Sequence, residues 1–268
     1  MNEMRTPALT LIGTLFVLAI TACTNSSAAP TSGPASATYN IVQDGKSLGS
    51  ATYTLTPIAS GYTITSQGKM ALAKFSYAFS NTEKLDGALN MVNDQISGVV
   101  NGSAVSFNAA SDTTGNKFNI NVSASGKQYQ NVLDRYANTV VLPDLDPSGY
   151  MLLARLALAP PATSWALIPK GNGLLVPLKF TPDADVSANY HGQSILVKHT
   201  TVAVSTQNAI TVELYYLPSG QLLEADLPEQ NFYVIFGDFK LINRPQYKQL
   251  PRGQAAPPPQ GQAQQPQQ

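Results

Sequence analysis

Sulfur and charge are both scarce in this chain. Cys23 is the only cysteine among 268 residues, so no intrachain disulfide can staple the fold and no cysteine-based metal site can form. Charged residues make up 12% of the sequence, about half of the ~25% usual in soluble domains, which leaves few groups for acid–base chemistry. Sixteen basic residues balance sixteen acidic ones. The chain therefore lacks the basic surplus that nucleic-acid binding or a polybasic membrane-surface domain would need. No apolar run reaches the ~20 residues of a bilayer-spanning helix. No glycine-rich phosphate loop and no zinc-ligand spacing occurs, so no cofactor is expected.

What is present begins at the N-terminus. Arg5 precedes an apolar stretch from Ala8 to Ile20, and Thr21-Ala22-Cys23 closes it with small residues. That is the layout of a secretory signal. Ile20-Thr21-Ala22-Cys23 resembles a bacterial lipobox, with Ile at the position where Leu is commoner. The resemblance implies cleavage before Cys23 and lipidation of its thiol, giving an envelope protein anchored to a membrane and facing the periplasm. Thr24 after the cysteine, in place of Asp, points to the outer membrane. An ordinary signal cut near Ala22, with Cys23 incidental, is the alternative.

Composition divides the rest. Residues 1–22 read as the signal and 23–37 as the lipidated cysteine with a flexible Ser/Thr/Ala/Pro tether, spanning about 20 Å as a random coil. Residues 38–248 form one β-rich domain, long enough to bury a sizeable core. Residues 249–268 are almost entirely Gln, Pro, Ala and Gly and cannot bury enough apolar surface to fold. No internal repeat of fixed period is visible.

Within the domain, period-two patterns dominate. Ile41–Gln43 and Leu48–Leu55 flank Asp44-Gly45, a strong hairpin signal, and Gly61–Thr65 follows as the next strand. Phe118, Ile120 and Val122 alternate with polar neighbours, as do Val212, Leu214 and Tyr216 with Thr211, Glu213 and Tyr215, predicting strands with one wet face. Phe232–Phe236 is apolar on both faces, which predicts a strand covered on both sides or lining a dry cavity. About a dozen strands are expected. One helix interrupts them near 147–158, with Asp146 as N-cap and Pro147 at the first position, a wide apolar face, and Pro160-Pro161 as the stop. A flat sheet of that size would expose more apolar surface than one helix covers. The fold class expected is therefore mainly β, a curled antiparallel sheet forming a half-barrel or open barrel, with the helix on its concave side.

Tyr39-Asn40-Ile41, Gly45, Leu48–Tyr53, Leu142-Pro143, Tyr150–Arg155 and the closing Asn231–Leu241 segment resemble an uncharacterised family of exported bacterial β-proteins. That family is similar in fold to the lipoprotein carriers LolA and LolB. The resemblance implies a half-barrel with a hydrophobic interior in the envelope and supplies no catalytic residues.

Searches for chemistry give little. His191 and His199 would lie about 26 Å apart on one continuous strand, and could meet only if the chain turned near Gly192-Gln193. They read as ordinary residues, His199 half-buried beside Val197, and no metal site is expected. Ser194 lacks the second glycine of a nucleophile elbow. Asp144–Gly149 matches the start of a calcium loop but fails at Leu152 and Arg155, and Asp146 is better explained as the helix cap. Asp183 and Asp185 read as solvated turn residues. A non-enzyme is expected.

The remaining candidates are apolar. Phe75, Tyr77 and Phe79 alternate, as do Phe232, Val234 and Phe236, and the helix adds Tyr150, Met151 and Leu153. Each reads as core; together they could line a pocket for an acyl chain. Two functions stay open: an envelope lipoprotein that binds or carries an apolar ligand such as a lipid, and a structural or assembly lipoprotein that binds envelope proteins and has no ligand cavity.

Overall fold

The computed structural model describes residues 35–206, 210–245 and 247. Cys23, the signal and most of the tether, and the Gln/Pro-rich segment 249–268 lie outside the described residues. In chain order the strands are β1 (Ala35–Gln43), β2 (Lys46–Ile58), β3 (Gly61–Leu72), β4 (Phe75–Asp86), β5 (Met91–Val100), β6 (Ser103–Ser111), β7 (Lys117–Ala124), β8 (Lys127–Asp134) and β9 (Thr139–Val141). The helix α1 (Pro147–Ala157) comes next. Then follow β10 (Ser164–Ile168), β11 (Leu174–Pro182), β12 (Val186–Tyr190), β13 (Gln193–Val204), β14 (Ile210–Tyr216), β15 (Leu222–Leu227), β16 (Phe232–Phe236) and β17 (Lys240–Leu241). β1 takes in Ala35, Ser36 and Ala37, so the last three residues of the stretch read as tether are paired with β2.

The strands form one large, curled, open sheet. From β1 it runs in one direction through β2 to β8 by successive antiparallel hairpins. In the other direction it runs through β16, β15, β14, β13, β11 and β10 to β9, which joins β10 in parallel. Among the described residues β8 pairs only with β7 and β9 only with β10, so the sheet does not close into a barrel. It curls far enough for β9 to lie against β5.

Local sequence explains the hairpins. Asp44-Gly45 joins β1 to β2 with both residues at positive φ, 49° and 73°, the two-residue turn whose twist suits the flanking strands. Asn101-Gly102, Ser125-Gly126 and His191-Gly192 repeat the same arrangement at three further hairpins. Each glycine accepts the left-handed backbone at no steric cost. β2 bulges opposite Ile41/Val42, and there Gly49 comes so close to β3 that a Cβ would stand 2.0 Å from the Lys69 carbonyl oxygen.

Alternation decides the core. Phe118, Ile120 and Val122 are buried while Lys117, Asn119 and Asn121 are exposed. The helix packs into the concave side: Tyr150, Met151, Leu152, Leu153, Ala154 and Ala157 are all buried against β2, β3, β9, β14 and β15. Asp146 caps it, accepting from the Ser148 N–H at 2.9 Å, and Pro147 opens the first turn.

One expected wet face is in fact covered. Tyr215 is fully buried although it points away from the main core, because β12 and β17 pair with each other outside β13–β15. They form a second small core from Ala188, Val197, Tyr215, Leu223 and Phe239. β16 is packed on both faces, with Phe232 and Val234 in the main core and Ile235 on the outer one.

Candidate functional site

The helix does not fill the whole concavity. Toward one end of β3–β8 a cavity of about 560 Å3 remains. Inward residues of successive strands make its walls: Met70 and Leu72, Phe75 and Tyr77, Ile96 and Val100, Val105 and Phe107, then Val122 and Tyr129. Pro143-Asp144-Leu145, Pro169-Lys170-Gly171 and the pair Gln230 and Phe232 complete it. The lining is apolar apart from Ser106, Ser123, Asp144, Lys170 and Gln230. Lys170 and Asp144 form an ion pair at 2.9 Å and are both about half-exposed, which puts the charged groups on the solvent side of an apolar interior.

Of the nine aromatic and aliphatic residues picked out by pattern, Phe75, Tyr77 and Phe232 line this cavity. The other six do not. Phe79 is buried one pleat step further in, stacked on Tyr77 at 5.3 Å. Tyr150, Met151 and Leu153 belong to the packed face of α1, and Val234 is fully buried. Phe236 lies against Tyr39 at 5.3 Å and Tyr190 at 6.0 Å. Alternation alone also marks Met70, Ile96, Phe107 and Val122 as inward. Nothing local marks the two loops at 143–145 and 169–171, which reach the cavity through tertiary packing.

Deeper than the cavity lies a layer of buried polar groups. Asp146 accepts from Ser66 Oγ at 2.7 Å, Asn81 Nδ2 at 3.2 Å and Ser148 Oγ at 2.7 Å. Glu83 and Asp94 face each other across β4 and β5, and both are buried. Burial, reinforced by the Asp94 and Asp146 charges, pushes the Glu83 carboxyl well above its ordinary value. Burial and Asp146 do the same to Asp94, against a hydrogen bond from Asn81. Burial raises Asp146 too, opposed by the donors that surround it. Burial in a low-dielectric interior thus favours the neutral form of these carboxyls.

The histidines are apart. His191 occupies the β12–β13 turn, exposed beside Asp238, whereas His199 sits on the outer face of β13, 2.9 Å from Glu213. The aspartates near them are exposed in the β11–β12 connection, and both are also bonded: Asp185 pairs with Lys198 at 2.8 Å, and Asp183 is tied to Thr201.

No protein-family model matches the chain, and no curated protein does. Among solved structures it is similar to a β-barrel-like protein of domain of unknown function DUF1849 from Brucella abortus, with a TM-score of 0.51 and 12% identity over 79% of this chain and 98% of that one. A DUF1089 family protein from Pseudomonas aeruginosa aligns over 75% of this chain and 92% of that one, with a TM-score of 0.42 and 12% identity. The likeness to the first is one of fold, that of an uncharacterised β-barrel-like domain.

Proposed function

We propose that the domain binds or carries an apolar or amphipathic ligand, a lipid or acyl chain, in the cavity between β3–β8 and the loops at 143–145 and 169–171. The observation that carries this reading is the cavity itself. At about 560 Å3 it falls within the ~300–1,000 Å3 range of small-molecule sites, and its walls are apolar strand residues. Its few polar groups include the Lys170–Asp144 ion pair. An alkyl chain would lie along Met70, Phe107 and Val122, and its polar end would remain at Lys170.

The lipobox-like segment ending at Cys23 supports the same setting: an envelope protein anchored through its lipidated cysteine, facing the periplasm and directed to the outer membrane. Tyr77 and the buried carboxyls do no chemistry in this reading. Tyr77 is part of the cavity wall, and the carboxyls lie outside its lining.

The second reading, a structural or assembly lipoprotein binding envelope proteins, draws on α1, whose own side chains already pack into the concave side. Native mass spectrometry of the full chain in detergent, followed by organic extraction, separates the two. A stoichiometric lipid adduct, lost when Val100 or Val105 is replaced by Trp to fill the cavity, supports the carrier. A mass free of adduct that stays so with added lipids favours the structural protein.

A further inference from the structure

On the outer face of the sheet, opposite the cavity, three metal-ligating side chains converge. His199 and Thr201 alternate outward on β13, and Glu213 and Tyr215 alternate outward on β14. The register sets Thr201 against Glu213 and His199 against Tyr215. Asp183 follows β11 directly, and its N–H donates to the His199 carbonyl at 3.1 Å, which brings its carboxylate over the pair. The ligand atoms of Asp183, His199 and Glu213 all lie within 4.8 Å of one another.

The hydrogen bonding around them is crowded with acceptors. Thr201 Oγ1 stands 2.7 Å from Asp183 Oδ2 and 2.8 Å from Glu213 Oε2, and its single proton can serve one of them only. His199 Nε2 stands 2.9 Å from the same Glu213 oxygen, and Nδ1 is 3.9 Å from Asp183. Among the described residues neither carboxylate pairs with a lysine or arginine. Lys198 is taken by Asp185, and Arg244 by Glu224 and Asp226. Two negative groups therefore share one imidazole and one hydroxyl, which leaves room for a compensating cation.

The site is also held in place. The His199 ring stacks on Tyr215 at 4.6 Å and 6°, and Tyr215 is locked in the small outer core. The Thr201 N–H fixes Asp183 Oδ2 at 3.1 Å. His199 and Glu213 are only 16% and 14% exposed, and Asp183 36%, so solvent reaches the site from the Asp183 side.

We propose that Asp183, His199 and Glu213 bind a divalent transition-metal ion, Zn2+ by their donor set, pinning the β11–β12 connection to the β13–β14 pair. One imidazole nitrogen with two carboxylate oxygens suits Zn2+ better than Ca2+, which takes six or more oxygens. Three protein ligands leave an open position for water. Thr201 and Tyr215 act as the outer shell that orients Asp183 and His199.

The test uses the full chain in detergent, without a polyhistidine tag, stripped with EDTA and titrated with Zn2+ by calorimetry. The expected result is one Zn2+ per chain, with affinity lowered at least about tenfold by His199→Ala or Glu213→Gln and about 10- to 100-fold by Thr201→Val. His191→Ala, remote from the site, is expected to leave affinity unchanged. Co2+ added to the stripped wild-type chain is expected to give a visible absorption spectrum that Zn2+ abolishes, a readout that needs no variant to fold. No saturable Zn2+ binding and no Co2+ spectrum would overturn the proposal. Binding that survives His199→Ala in a folded chain, or Ca2+ held more tightly than Zn2+, would overturn it as well.

Discussion

Glu83 and Asp94 are buried side by side with no lysine or arginine bonded to either among the described residues, and this has a thermodynamic consequence with a definite sign. In the unfolded chain a carboxyl loses its proton near pH 4. In the folded chain burial shifts both groups well above their ordinary values, with the Asp94 and Asp146 charges adding at Glu83 and the Asp146 charge at Asp94. Folding thus takes up protons as pH rises above the unfolded carboxyl range. The associated stability is complete below about pH 4 and falls as pH rises toward the folded values, by about 1.4 kcal/mol per pH unit for each proton retained. Asp112 and Asp134 act in the opposite sense. Their carboxyls are held down, Asp112 first by the Thr114 hydroxyl and Asp134 by Lys117, so their contribution is lost only as pH falls through the acid range. Asp226, raised to about 10 by burial and then by Glu224, adds to the buried pair. Between pH 5 and 8 the buried groups therefore dominate, and urea midpoints are expected to fall steadily across that window. Asp94→Asn, which stays neutral throughout, is expected to remove about one proton's share of the slope. An unchanged slope in that variant would show that Asp94 is ionised in the fold.

At the scale of elements, α1 shows what a single residue can tie together. Asp146 caps the helix through Ser148 and also receives Ser66 of β3 and Asn81 of β4. Removing the carboxyl strands these donors in a buried layer, so Asp146→Ala is expected to cost more than the ~0.5–2 kcal/mol of a cap alone. Asp146→Asn keeps an acceptor for Ser148 but turns the one facing Ser66 and Asn81 into a donor, so it is expected to retain only part of that stability in urea unfolding. Equal losses in the two variants would assign the effect to the Ser66 and Asn81 bonds, beyond the cap. The helix and its cap are legible in the sequence because Asp-Pro followed by an apolar face and Pro-Pro is local information. So are the strands, whose inward residues alternate. Cavity and core are not separable that way: Phe75 and Phe79 sit on the same face of β4, yet one lines the cavity and the other is packed. The difference is where each ring lands: Phe79 packs over Gly68 of β3 and against Tyr77, contacts that depend on the neighbouring strand. The meeting of Asp183 with His199 follows from the pairing of β11 with β13, whereas burial of Tyr215 on a face patterned as wet depends on β12 and β17 pairing across the outside. That pairing spans residues 188–241, and no short window contains it.

For the whole molecule, the open sheet and the cavity give the proposed ligand a thermodynamic signature. A sheet whose two end strands each have one partner cannot distribute strain around a closed ring, so a guest that packs against β3–β8 adds contacts the unliganded fold lacks. A ligand that binds only the folded state at 100 times its Kd contributes about 2.7 kcal/mol. For a domain of this size that corresponds to a rise in Tm of about 5–10 °C. Long-chain lipids are expected to produce this rise in the wild-type chain and none in Val105→Trp, whose indole takes the guest's place. Short-chain analogues of the same headgroup are expected to give a smaller shift, because the affinity comes from apolar area buried at roughly 25 cal/mol per Å2. A shift equal for short and long chains would place the recognition at Lys170 and Asp144, outside the apolar walls. The absence of any shift across lipid classes would return the cavity to packing and the domain to the structural reading.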